Sequence, residues 1–399
     1  MRVAFVVNDT RNVDYVGIID RESLTTSEII KLSGGNLGNF AFRYGLRRML
    51  NGDVGYIDWR SEPSAVRAEF DVILVAEANL VNPNVDYGGP ANFLKKCNLP
   101  VLICGIGSQA PISVKSPGDF PDLKTGTKEF LKVCADLSDE ILVRGDFTKD
   151  VIIEQTGVRN VRSAGCPSYL INSRTNLWER VKRKAVEGID SSRLSITEGN
   201  YHPVNRPKDG LDLERRLFGV VRDFGADYVG QQQKGVIELA MGMREEKAAD
   251  PLYGLGGYVA PKVRNDALVE IMSNRARAFG RTDEWIRYLS GRSATTGTRI
   301  HGCILSLQGE TPSVPVVHDL RTRELTETLG FPTLGVKDIL QTNSSSDIID
   351  LISKVYDKFD SNVGDAVRAE LATVYRSAIE SVGLKASSSL QGLSGEAAS

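Results

Sequence analysis

Three histidines, five cysteines and the absence of any CxxC pair leave this 399-residue chain little from which to build a metal site or a disulfide framework. Cys97, Cys104, Cys134, Cys166 and Cys303 are scattered and odd in number, and they read as reduced, mostly buried thiols. Long apolar runs are missing too. None approaches the ~18 residues that span a bilayer, and Val101-Leu102-Ile103-Cys104 is soon broken by Gly105 and Gly107. The run Val3 to Val7 stops at Asn8-Asp9, too short for the core of a signal peptide, so a soluble, cytoplasmic protein is expected. Net charge is nearly absent, with 49 basic and 51 acidic side chains. That balance offers no field to nucleic acid or an anionic membrane, and any bound anion must be held by local arginines. No GxGxxG follows the first apolar run, which argues against a dinucleotide oxidoreductase.

What is present is an ordinary globular balance of 41% hydrophobic and 25% charged residues. The length exceeds the roughly 250–300 residues at which one core stops growing, so two lobes and a cleft between them are expected. Short apolar runs at Val3 to Val7, Val54 to Trp59, Val72 to Ala76, Val101 to Cys104, Ile141 to Val143 and Val161 to Ala164 suit strands buried on both faces of a parallel sheet. Helical patterns lie between them at Asn39 to Leu50 and Thr127 to Ala135, giving an α/β lobe over 1–180. The polar, basic stretch Asn172 to Lys184 marks the boundary. A second α/β lobe over 190–340 starts with Arg193 to Thr197 and continues through Ala226 to Val229, a helix around Asp266 to Ala278 and a strand at Ser313 to Val317. Helices fill 341–384, and the Ser-, Gly- and Ala-rich segment 385–399 is expected to be disordered.

In open parallel sheets, ligands bind beyond the carboxyl ends of the strands. Four Gly-rich turns fall there. Gly34-Gly35-Asn36-Leu37-Gly38-Asn39 precedes a helix and either offers helix-start amides to a ligand or is a tight turn with an Asn cap. Gly105-Ile106-Gly107-Ser108 leaves room for Ser108 to donate a hydrogen bond. Leu142-Val143-Arg144-Gly145-Asp146 puts Arg144 at a strand end, as a ligand anchor or an ordinary ion-pair member. In Gly165-Cys166-Pro167-Ser168 no histidine is near in sequence, so Cys166 reads as a buried thiol and not a nucleophile.

The densest constellation runs from Thr295 to Leu325 and contains two of the three histidines. In Thr296-Gly297-Thr298-Arg299-Ile300-His301-Gly302, Thr298 is placed to cap a helix whose first amides, with the Arg299 guanidinium, would hold a phosphate or carboxylate. Residues two apart on a regular helix face different ways. Arg299 and His301 therefore share a site only if this segment is a turn or an irregular first turn. His318-Asp319 has the composition of an imidazole oriented by a carboxylate, although neighbours at a strand end commonly point apart. Arg321 and Glu324, one turn apart, fit a surface ion pair.

The segment Thr296 to Gly302, the Gly309-Glu310-Thr311-Pro312 turn before a Val-rich strand, the GNLGN turn, the Arg144 strand end and the GCPS turn together resemble the polysaccharide pyruvyl transferase family over roughly 34–330. That family's first turn commonly ends in Asp where Asn39 stands, and its middle turn commonly reads Gly-Asp-Pro where this chain has Gly165-Cys166-Pro167. The resemblance implies two Rossmann-like lobes facing a cleft, similar to the two-lobed (GT-B type) glycosyltransferases, with the acceptor on the N-terminal lobe and the donor on the C-terminal one. It implies transfer of the pyruvyl group of phosphoenolpyruvate onto a sugar as a cyclic ketal, with release of phosphate. On that reading His301 and Arg299 are catalytic, and Arg144, Asn36, Asn39, Ser108, Thr298, His318 and Arg321 bind substrate. No metal or cofactor beyond the donor substrate is implied, and the partner is a carbohydrate acceptor, free or lipid-linked. Acceptor choice is assigned to the loops 79–90, 199–210 and 231–257, with Tyr87, Tyr201, His202, Tyr253 and Tyr258 able to stack on sugar rings. Homo-oligomer formation is left open. The alternatives are a glycosyltransferase using a nucleotide sugar and a non-catalytic carbohydrate-binding relative.

Overall fold

The computed structural model describes residues 1–109, 114, 116–200, 208–243, 252 and 254–395. Fourteen strands, numbered in chain order, organise it: β1 Arg2–Val6, β2 Leu50–Asn51, β3 Asp53–Ile57, β4 Val72–Ala76, β5 Val101–Ile106, β6 Ile141–Val143, β7 Val161–Ser163, β8 Leu194–Thr197, β9 Asp227–Val229, β10 Ala276–Arg277, β11 Ala294–Gly297, β12 Ser313–Val317, β13 Leu334–Gly335 and β14 Lys385–Ala386. Twelve of them form two parallel six-stranded sheets, ordered β3-β1-β4-β5-β6-β7 and β10-β9-β8-β11-β12-β13. The molecule is thus an α/β protein of two Rossmann-like lobes, each built on a parallel sheet. The runs of Val, Ile and Leu in β4 and β5 are buried throughout because helices cover both faces of their sheet.

Strand order locates the crevices. In the second sheet the chain winds outward from β8 through β9 to β10, then crosses back to β11 on the other side of β8. This is the topological switch point at which open α/β sheets bind ligands. In the first sheet the reversal lies between β1 and β4. The four segments leaving these strands are Val7-Asn8, Glu77-Ala78-Asn79, Glu198 and Thr298-Arg299.

Residues 172–184, read from composition as a polar boundary, contain most of the helix Leu177–Glu187, whose Leu177, Trp178 and Val181 are buried. Its apolar stripe packs against the long helix Ser361–Ser381, which returns to the first lobe. Arg368 on that helix is fully buried and donates to the carbonyls of Arg174 and Asn172, both at 2.6 Å, clamping the segment that joins the lobes. The expectation of disorder over 385–399 is corrected for the described part. β14 pairs antiparallel with β2, and the helix Ser388–Leu393, capped by Ser387, buries Leu390 and Leu393. Two leucines in a Ser/Gly-rich stretch supply enough apolar surface to hold the segment down. Among the described residues no helix is long and apolar enough to cross a membrane. All five cysteines are free and buried.

Candidate functional site

A narrow cleft of ≈ 70 Å³ lies between the lobes, lined by Asn36, Asn39, Ala78, Asn79, Arg144, Gln231, Thr298, Arg299, Ile300, His301, His318, Arg321 and Thr322. Eight of the nine residues singled out in the sequence face it. Ser108 does not. It is fully buried behind the cleft, with its amide donating to Thr148 Oγ1 at 3.0 Å.

The Thr296 to Gly302 segment resolves the question of direction. β11 ends at Gly297 (φ 139°), where a Cβ would stand 2.3 Å from Thr197 Oγ1, so only glycine fits. Arg299 has an extended backbone and is the N-cap, so the helix Ile300–Gln308 begins after it. This break from helical geometry lets Arg299 and His301 line one cleft. Thr298 does not cap the helix; it is buried, and its hydroxyl donates to Glu214 Oε1 at 3.0 Å. The Arg299 amide donates to Thr197 Oγ1 at 3.1 Å and its guanidinium to Gln232 Oε1. Behind it Glu198 is completely buried. Burial raises its carboxyl pKa, while Arg299 and the amides of residues 231–233 oppose that rise. Glu198, immediately beyond β8, is not singled out by the sequence, and Gln231, two residues beyond β9, enters there only as the start of the loop 231–257; the strand-end rule that picks Arg144 finds both.

Arg144 follows β6 and is 5% exposed, yet its Nε and Nη2 have no hydrogen-bond partner within the protein. Its stem passes over Gly107, where a Cβ would stand 2.7 Å from Arg144 Cδ and 2.8 Å from the Ala78 carbonyl. That is the physical reason for glycine in the Gly105-Ile106-Gly107 turn. Gln231, 1% exposed, likewise has both amide atoms unpartnered. A buried cation and a buried amide facing a cleft, each without a protein partner, are the features of a site that waits for a ligand.

His301 is 6% exposed and packs against Phe42, with ring centroids 6.0 Å apart. Burial and then Arg144 push its pKa down to about 3, so it is neutral at physiological pH. A ring this desolvated beside a guanidinium takes up no second proton and stays a neutral imidazole with a single N–H. Its Nε2 lies 3.7 Å from Cys166 Sγ, which is 3.0 Å from Ser168 Oγ. A cysteine set aside for want of a nearby histidine thus meets one 135 positions later. Burial also raises the Cys166 thiol pKa, with Arg144 and Ser168 opposing, consistent with a buried thiol.

On the far wall, Asp319 organises three neighbours. Its Oδ2 accepts from Arg321 at 2.8 Å and lies 3.5 Å from His318 Nε2, while Oδ1 accepts the Thr322 amide at 2.8 Å as the helix N-cap. Burial would raise this carboxyl, but His318, Arg321 and Thr322 hold it well below the ordinary range. Glu324 is not Arg321's surface partner. It is 5% exposed and reaches the first lobe, accepting the Thr148 amide at 2.6 Å and hydroxyl at 2.9 Å at the start of the helix Asp146–Thr156.

In the GNLGN turn the helix-start amides are not free for a ligand. Asn39, Phe40 and Ala41 donate to the carbonyls of Asn36, Leu37 and Gly38, and Asn36 Oδ1 accepts the Gly38 amide at 2.8 Å. The turn meets the second lobe instead, where Leu37 donates to the Gln231 carbonyl at 2.9 Å and a Cβ on Gly38 would stand 2.9 Å from His301 Cβ. The Asn36 and Asn39 side chains still face the cleft. Next to Asn79, Glu77 is raised to about 7 by burial, with Arg43 opposing. Of the loop aromatics, Tyr87 packs on Phe130 with centroids 5.5 Å apart, and the Tyr258 carbonyl accepts from Arg215 at 2.9 Å. Tyr201, His202 and Tyr253 lie outside the described residues.

Among solved structures the chain is similar to S. aureus MnaA in its co-structure with UDP (9% identity, 94% of this chain and 96% of that chain, TM-score 0.43). It is also similar to the Neisseria meningitidis UDP-GlcNAc 2-epimerase bound to UDP-GlcNAc (9%, 94% and 99%, TM-score 0.42). Anabaena Alr3699/HepE in complex with UDP-glucose gives 10%, 96% and 99%, with a TM-score of 0.42. No curated protein matches it in sequence. The family model that does match, polysaccharide pyruvyl transferase, spans residues 36–319, from the GNLGN turn to the Asp319 cap, and the chain belongs to that family.

Proposed function

We propose that this protein transfers the pyruvyl group of phosphoenolpyruvate to two hydroxyls of a sugar in a polysaccharide or oligosaccharide, forming a cyclic ketal and releasing phosphate. The observation that carries the reading is Arg144, a buried guanidinium with unpartnered donors, in a cleft shared with Arg299 and Arg321. Three guanidiniums around one narrow space suit a small ligand bearing both a phosphate and a carboxylate, each able to take paired N–H donors. At ~4 Å and an effective dielectric near 20, each opposite charge contributes roughly 4 kcal/mol before desolvation. Asp319 holds Arg321 against the cleft wall, and Glu198 backs Arg299, so two of these cations are pre-positioned.

In the reaction, the enol carbon gains a proton and the central carbon gains two bonds to sugar oxygens. The bond from that carbon to the phosphate oxygen breaks. The two hydroxyl protons balance the new C–H bond and the departing phosphate. His301, neutral in this environment, fits the base that takes a proton from the attacking hydroxyl better than the acid. The amides of Asn36, Asn39 and Asn79 on the first lobe suit acceptor hydroxyls.

The test is phosphate release by the purified protein from phosphoenolpyruvate, with and without a galactoside or mannoside acceptor. Release that depends on both substrates is expected. Turnover of a nucleotide sugar but not phosphoenolpyruvate would overturn the reading in favour of glycosyl transfer. If Arg299→Ala and His301→Ala leave acceptor binding unchanged and no turnover is found with any donor, the protein is a carbohydrate-binding relative.

A further inference from the structure

We propose that Cys166 is a positioning residue for His301: its sulfur accepts a hydrogen bond from Nε2–H, fixes the tautomer and leaves Nδ1 as the basic nitrogen presented to the cleft. The proposal deepens the pyruvyl-transfer reading and rests on it for the role of His301.

The geometry that carries it is a short chain of contacts running away from the cleft. His301 Nε2 meets Cys166 Sγ at 3.7 Å, and Cys166 Sγ meets Ser168 Oγ at 3.0 Å. A thiol has one proton to give and a sulfur able to accept. Two arrangements use each group once; the one with S–H donating to Nε2 would spend the ring's lone pair on the thiol, so a base facing the cleft requires the other, with Nε2–H donating to sulfur and S–H donating to the Ser168 hydroxyl. Cys166 is 1% exposed and is held by the Pro167 turn after β7, so the sulfur is a fixed anchor. The ring packs on Phe42, and Gly38 comes so close that a Cβ there would stand 2.9 Å from His301 Cβ.

The choice of sulfur matters because of charge. The charged group acting on the ring is Arg144, a cation, and Arg299, Arg321 and His318 line the same cleft. Behind Cys166, burial raises the pKa values of Cys104 and Tyr375, and both are neutral. A carboxylate at position 166 would orient the imidazole equally well, but it would also stabilise the imidazolium and would pair with Arg144. A protonated thiol orients without doing either. The ring stays a neutral base, and the Arg144 donors stay available to the ligand.

The experiment is a pH titration of the full chain carrying ¹³Cε1-labelled histidine, with His301→Gln assigning the His301 signal among the three histidines. Cys166→Asp is expected to move the His301 midpoint up by about 1–3 pH units, the effect of one close opposite charge. Cys166→Ser, which keeps a neutral donor and acceptor, leaves it where it is in the parent. In turnover, Cys166→Ala should lower kcat for phosphate release by roughly tenfold or more with KM for phosphoenolpyruvate unchanged, and Cys166→Ser should restore it. A His301 midpoint unmoved by Cys166→Asp, or an undiminished kcat in Cys166→Ala, overturns the proposal. If Asp at this buried position disrupts folding, the Ala and Ser pair decides. If the parent protein releases no phosphate from phosphoenolpyruvate, the transfer reading fails, and the titration still judges the sulfur contact.

Discussion

Replacing Arg144 by Met separates a binding cation from a structural one. Arg144 is 5% exposed, its Nε and Nη2 find no acceptor in the protein, and burial depresses its pKa. A charge held in this way costs the folded state several kcal/mol, and its replacement by an apolar chain of similar length is typically neutral or stabilising by about 1–4 kcal/mol. A ligand anion would repay that cost through two charge-assisted hydrogen bonds worth about 1.5–3 kcal/mol each. Losing both removes about 3–6 kcal/mol of binding, or roughly 10²–10⁴ in kcat/KM. Arg144→Met is therefore expected to be at least as resistant to urea as the parent while nearly inactive. Phosphoenolpyruvate at a hundredfold excess over its Kd should stabilise the parent by about 2.7 kcal/mol and leave the variant unmoved. The assays are urea midpoints with and without phosphoenolpyruvate, and phosphate release. A variant that unfolds more easily than the parent yet still gains stability from the ligand would refute the reasoning, because Arg144 would then hold the fold and not the anion.

Three further outcomes follow from the same geometry. His301 has its pKa depressed from 6.5 to about 3, so the unfolded chain binds a proton that the folded chain refuses. The stability tied to its neutral form is complete above pH 6.5 and lost as pH falls toward 3, with a slope of up to about 1.4 kcal/mol per pH unit. Urea midpoints at pH 7, 5.5 and 4.5 should fall less steeply for His301→Gln than for the parent, and equal slopes would contradict the shift. Gly107→Ala places a methyl 2.7 Å from Arg144 Cδ and 2.8 Å from the Ala78 carbonyl. It should cost about 1–3 kcal/mol of stability and raise KM for phosphoenolpyruvate, and an unchanged KM would show that the Arg144 stem has room to move. Leu390→Ala, at a position 1% exposed, should cost about 2–5 kcal/mol of stability, whereas a disordered tail would register no change.

Much of the scaffold is legible because burial on both faces leaves a plain signature. The runs at Val72 to Ala76 and Ser313 to Val317 are strands with those bounds, since no solvent face dilutes their apolar character. β11 escapes this test. Its Ala-Thr-Thr-Gly sequence is polar but fully buried, with the Thr296 hydroxyl donating to the Val314 carbonyl at 2.7 Å and the Thr295 hydroxyl accepting from Ser306 at 2.9 Å. Hydroxyls satisfied inside a core look like loop residues in a one-dimensional reading. The tail is misread for the complementary reason: composition averages over Ser and Gly and hides the two leucines that bind it.

The site divides along the same line. Arg144, Arg299 and His301 could be picked out because each stands beside a glycine turn at a strand end, a local feature that the switch-point rule converts into a place. What joins them is not local. The spacing of Glu324 to Arg321 fits a surface pair, yet Glu324 caps a helix of the opposite lobe 176 positions away. Cys166 and His301 meet only because the turn after β7 and the helix after β11 face one another across the cleft. Leu37 to Gln231, Thr148 to Glu324 and Tyr169 to Leu329 are bonds between lobes. Each lies within four residues of a group that faces the cleft or supports His301. The contacts that set the register of the lobes and those that would hold the anion are therefore interleaved along the same segments. A sequence motif gives the parts of such a site, while the charge state of its histidine depends on how the two lobes are docked.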